Sequence, residues 1–85
     1  MADDDKTRWA IDVMTAWIDH RQDGAFLHAR IDDYLSEPDG AAGLTTGFIN
    51  LTALLLMGME ATLGKTPQEI LQTIAVTVSR SEPSA

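Results

Sequence analysis

The stretch from Leu44 to Gly64, LTTGFINLTALLLMGMEATLG, limits what this chain can become more than any other part of it. Phe48, Leu51, Leu55 and Met59 recur at three- and four-residue spacing, which stacks them on one face of a helix. Ile49, Leu56 and Leu63 form a second stripe, and Leu54, Met57 and Ala61 a third. Only a narrow arc through Thr46, Ala53 and Glu60 is left to meet water. A helix that is apolar nearly all round belongs in a protein core or in a membrane.

A membrane span needs about 20 predominantly apolar residues, and this stretch is long enough. Asn50 and Glu60 interrupt it, however, four threonines dilute it, and no cluster of Lys or Arg flanks it. A carboxylate inside a span costs roughly 2.5–3.5 kcal/mol on insertion scales. The expectation is therefore a soluble protein in which this helix is buried, with no membrane partner. With 85 residues, the rest of the chain can cover about two of the three stripes. A second copy is the natural cover for the last, because two-fold dimers are the commonest oligomers. The expected architecture is thus an all-α, four-helix single domain over residues 1–85, packed as a homodimeric bundle. Trp9, Trp17, Phe48, Leu51, Leu55, Leu56 and Met59 are its candidate interface residues.

Three shorter helices supply the cover. The first is predicted over 5–21, with Asp3, Asp4 and Asp5 placed where an N-cap and first turn favour negative charge. Trp9, Val13 and Trp17 give it a wide apolar arc, opposite Arg8, Asp12, Thr15 and Asp19. Gln22-Asp23-Gly24 signals a turn, with Asp23 able to cap a second helix over 24–35. Arg30 lies between Phe26 and Tyr34 at i+4 spacing on either side, placed to stack on those rings or to form a buried ion pair with Glu60. Pro38 and the run Asp39-Gly40-Ala41-Ala42-Gly43 read as a loop, and the long helix follows over 45–63. Gly47 and Gly58 within it cost helix propensity and point to close helix crossings. Gly64 is a good terminator. Thr66-Pro67-Gln68-Glu69 is the most specific local signal, an N-cap threonine with Pro at the first helical position and Glu at the third. It opens a fourth helix over 67–79 with Ile70, Leu71, Ile74, Ala75 and Val78 on one face. Residues 1–4 and 80–85 read as polar tails.

Charge and composition exclude several functions. Thirteen acidic residues against six basic ones give a net charge of −7, which repels phosphate backbones and argues against a nucleic-acid partner. The same surface suits a basic protein partner. There is no cysteine, so disulfides, thiol catalysis and thiolate metal ligation are absent. The acidic N-terminus lacks an apolar signal-peptide core, so the expected location is cytoplasmic. His20 and His28 fall on different helices without metal-ligand spacing, so no metal or other cofactor is expected. No nucleophile motif surrounds any serine, and no catalytic residue is assigned. Size, acidity and helicity resemble acyl carrier proteins, but Ser36 in Tyr-Leu-Ser-Glu-Pro lacks the Asp-Ser-Leu-like attachment site of that family. Three functional readings follow, one of them an enzyme built on Glu60 and Arg30. The first is a non-catalytic interaction or regulatory subunit acting as a homodimer. The alternative is a module holding an apolar small molecule among Phe48, Met57, Met59 and the tryptophans.

Overall fold

The computed structural model describes residues 2–81, with side chains from Asp4 onward. Four helices follow one another: α1 (Ala2–Asp19), α2 (Gly24–Leu35), α3 (Gly40–Leu63) and α4 (Pro67–Ser81). The all-α, four-helix reading holds, and α2 has the expected bounds. The chain divides into two compact units, Met1–Thr52 and Ala53–Ala85, with the boundary inside α3.

In the first unit, α1 and α2 form a helical hairpin. Asp23 ends the turn as the N-cap of α2, its carboxylate accepting from the Phe26 N–H at 3.1 Å. Ala10, Val13 and Ala16 are buried from α1, together with Leu44 from α3. Small side chains at these α1 positions let neighbouring backbones come close.

The start of α3 corrects the expected loop. Residues 40–44 are the first turn of the helix, which begins at Gly40 and not at 45. Asp39 makes the turn into it with φ 55, in the left-handed region that Asp tolerates better than most residues. Gly40, Gly43, Leu44 and Gly47 form the buried face of this turn and the next. A side chain at Gly40 would stand 2.8 Å from the Leu35 carbonyl oxygen, so the glycine lets α3 start hard against the end of α2. At Gly47 a Cβ would overlap the Lys6 carbonyl oxygen and lie 2.6 Å from its carbon, and at Gly43 it would meet the Lys6 chain and the Trp9 ring at 3.0 Å. Glycines that weaken an isolated helix are kept because α1 packs backbone to backbone across them.

In the second unit, α3 stops at Gly64 (φ 70), whose N–H bonds the Glu60 carbonyl at 2.9 Å. The expected capping box opens α4: Thr66 Oγ1 accepts from the Glu69 N–H at 3.2 Å, and the Glu69 carboxylate accepts from the Thr66 N–H at 3.0 Å. Both outer boundaries move outward by a few residues. Helix α1 begins at Ala2, so the aspartates lie within its first turn and not ahead of it, and α4 runs to Ser81. What remains of the expected tails, residues 1 and 82–85, lies outside the described residues.

Candidate functional site: an uncovered apolar face

The protomer covers one end of α3 and leaves the other bare. Phe48 and Leu51 are half-buried in the first unit. In the second unit Leu54 and Leu55 are each 59% exposed, Met57 62% and Leu63 57%, and Met59 is also exposed. Leu54, Leu55, Gly58, Met59, Thr62 and Leu63 line a broad open groove of about 450 Å³. All six belong to α3. They form two adjacent rows at i+4 spacing, Leu54–Gly58–Thr62 and Leu55–Met59–Leu63. Gly58 forms the floor of the groove, since a Cβ there would meet nothing within 4 Å. Helix α4 repeats the pattern: Ile70 is buried, whereas Leu71, Ile74 and Val78 on the same side are about half exposed.

Four hydroxyls of this unit are already bonded within their own helices. The Thr62 hydroxyl donates to the Gly58 carbonyl at 2.8 Å, and Thr73, Thr77 and Ser81 each donate to the carbonyl four residues earlier. These threonines can therefore offer methyl groups to a partner without stranding a hydroxyl, which keeps the desolvation cost of burial low. Charge divides just as unevenly. Ten acids and four bases precede Ala53, a net −6, while three acids and two bases follow, a net −1.

The other expected site residues occupy distinct settings. Leu56 is half-buried and Glu60 is exposed on the bare stretch of α3. Arg30 reaches Asp12, at 3.7 Å, and lies 5.6 Å from the Phe26 ring centroid, so the expected stacking on Phe26 is present and the carboxylate it meets belongs to α1. Asp12 also accepts a short hydrogen bond from the Tyr34 hydroxyl. Trp9 stacks on Tyr34 at 4.9 Å between ring centroids, with the Lys6 ammonium 3.8 Å from the centroid of the indole. Burial, and then the Asp12 carboxylate, push the Tyr34 hydroxyl up to about 12. This cluster fastens α1 to α2. Trp17 stands apart from it, 43% exposed under the Arg21 guanidinium at 4.8 Å. His20 stacks on Phe26 at 3.9 Å and His28 is exposed. Among the described residues no three His, Asp or Glu side chains converge as a metal site would require.

Of the residues proposed for a small-molecule cavity, only Met59 lines the groove, and the groove is open to solvent. Helix α3 is long and apolar enough to cross a membrane, and 17% of its apolar window is buried. The sequence marked Gly58 as a close helix crossing but gave Thr62 and Asp12 no place in a site. The signal for Thr62 was present in the i+4 row that runs from Leu54 through Gly58. Comparison with protein-family models, curated proteins and solved structures finds no match to this chain.

Proposed function

We propose that the protein is a small, non-catalytic interaction subunit that works as a homodimer, associating through its second unit. The observation that carries this reading is the uncovered apolar surface of Leu54, Leu55, Met59 and Leu63 on α3 and Leu71, Ile74 and Val78 on α4. At about 1.45 Å² of chain surface per dalton, these seven residues at their observed exposures offer roughly 600 Å² per protomer. Complete cover of all seven in both copies would remove roughly 1,200 Å², the lower edge of stable specific interfaces at about 1,200–2,000 Å². Exposed apolar surface of this size stands at the upper end of the largest patch on an ordinary monomer, about 300–600 Å², and supports a role in association. The first unit, at net −6, is the half suited to a basic protein partner, which gives the chain the layout of an adaptor in the cytoplasm.

The length and apolarity of α3 favour a second reading, a membrane span, but it fits less well. Only the sixteen residues from Phe48 to Leu63 lie beyond the α1 crossing at Gly47. They extend about 24 Å, short of a hydrocarbon core of about 30 Å, and include Asn50 and Glu60.

Light scattering on the purified chain, across a range of concentrations and with no detergent, tests the proposal. The expected mass is twice 9.2 kDa. A protein that stays at the protomer mass up to high micromolar concentration overturns it, and recovery only in detergent or lipid vesicles supports the span instead.

A further inference from the structure

We infer that the second copy crosses α3 at Gly58, so that the Leu55–Met59–Leu63 ridge of each protomer lies in the groove over Gly58 of the other. This rests on the self-association just proposed and names the surface that performs it. The geometry begins with the two i+4 rows. Such rows are the ridges by which helices most often interlock, at an interaxial angle of about −50° when both partners use them. Here one row is continuous in bulk, Leu55–Met59–Leu63, and its neighbour is cut down at its centre by Gly58. A ridge and a notch lying side by side on one helix are what a two-fold interface needs, because the same patch must serve both partners.

The chain already makes a crossing of this kind. Gly47 admits the Lys6 carbonyl of α1 to backbone contact. Gly58 is the next glycine along α3. The space at Gly47 is occupied and that at Gly58 is open.

Charge selects a second copy over a charged foreign partner. The groove carries no ionisable side chain, and Glu60 points about 150° away from its centre on the helical wheel. Thr62 is already bonded to the Gly58 carbonyl. Two chains of net −7 meet at low electrostatic cost only where each is nearly neutral, and that is the half at net −1. The exposed stripe Ile11, Met14 and Ile18 on α1 is another apolar surface, but it lies in the half at net −6.

The chain has no cysteine, so single cysteines report on the crossing cleanly. In this crossing the two Gly58 positions flank the two-fold axis, so Gly58→Cys is expected to bring two sulfurs within disulfide reach, which needs a Cα separation of about 4.4–6.8 Å. Under mild oxidation it is expected to give a covalent dimer, while Glu60→Cys and Ile18→Cys remain mostly uncrosslinked. Gly58→Leu fits the protomer, where the space around Gly58 is open, and should keep full helicity by circular dichroism. It enters a two-fold interface twice and is expected to weaken dimerisation roughly 100-fold. A wild-type dimer in which Gly58→Cys does not crosslink and Gly58→Leu associates normally overturns the crossing and leaves self-association standing. Efficient crosslinking through Ile18→Cys overturns it in favour of the α1 stripe. A wild-type monomer removes both.

Discussion

Gly47→Ala isolates the backbone contact that joins α1 to α3. The new methyl group overlaps the Lys6 carbonyl oxygen and lies 2.6 Å from its carbon, where ordinary contact begins near 3.4 Å. The obstacle is backbone, so no rotamer change relieves it, and the helices must part by about 1 Å. A gap of that size forfeits a quarter to a half of the dispersion energy of each contact it opens. The contacts at risk are those of Gly43 with the Lys6 chain and the Trp9 ring, beside buried Leu44. Overpacking of this kind costs about 1–3 kcal/mol, and the backbone obstacle places it near the upper end. Against it stands a gain of about 1 kcal/mol in helix propensity from replacing glycine. The net expectation is a loss of about 2 kcal/mol, which for a chain of this size lowers the midpoint by roughly 8–16 °C. Thermal unfolding followed by circular dichroism measures it, with wild type and variant at one protomer concentration because association adds to apparent stability. A midpoint equal to or above wild type would refute the backbone crossing, since propensity alone predicts a rise.

Neighbouring positions on α3 should separate folding from association. Leu55→Asp is expected to give a folded monomer because Leu55 is 59% exposed, whereas Leu56→Asp, at a half-buried position, should lower helicity as well; light scattering with circular dichroism distinguishes them, and an intact dimer of Leu55→Asp contradicts the assignment. Thr66→Ala removes the N-cap of α4 and should cost about 1 kcal/mol, read as increased amide hydrogen exchange in the first turn of that helix. The backbone N–H of Thr66, then its side chain, holds the Glu69 carboxyl below its ordinary 4.5. Its contribution is therefore full above that value and disappears as pH falls through the lower folded value, so the first turn of α4 should fray in acid, and Glu69→Gln should remove most of that dependence. Tyr34 is the only tyrosine, and its ultraviolet titration should centre near 12 in the folded protein against 10 when unfolded. Stability from its protonated hydroxyl is complete below pH 10 and lost as pH rises towards 12. Asp12→Asn should bring the midpoint down, and an unchanged midpoint would rule out the Tyr34–Asp12 bond as a cause.

How far the chain could be read in advance depended on how local each signal was. The Thr66–Glu69 box and the Gly64 stop are short-range chemistry, complete within four residues, and both appear as written. The Asp23 cap is of the same kind. The start of α3 is not. Gly40-Ala41-Ala42-Gly43, with two glycines in four residues, is helical because α1 and the end of α2 pack onto glycine surfaces that only the tertiary fold makes useful. The carboxylate for Arg30 was equally out of reach. Spacing along α2 identifies its ring neighbours, but Asp12 is eighteen residues away on another helix, and only the hairpin brings it to 3.7 Å. In the bare stretch of α3, the counting of apolar stripes gave most weight to large side chains. The groove is defined by the one position that has none, Gly58, which the sequence marks as a helix crossing but which no tally of hydrophobic residues connects to the exposed leucines beside it.

That absence bears on whether a net charge of −7 is compatible with the proposed self-association. Read as an average, the charge opposes any meeting of two copies. It is not spread evenly: net −6 lies before Ala53 and net −1 after it, so the strongly acidic half is not the half with the groove. In the second unit the hydroxyls of Thr62, Thr73, Thr77 and Ser81 are bonded to their own helices. Covering it therefore removes mainly hydrocarbon from water, with few polar groups to desolvate. Inside the first unit, α1 meets the same requirement at Gly43 and Gly47 by bringing its own backbone against α3. Past that crossing, Leu54, Leu55 and Leu63 remain more than half exposed beside an open glycine. A helix with matching ridges and no charge on the contacting face meets every condition of that surface, and a second α3 is such a helix.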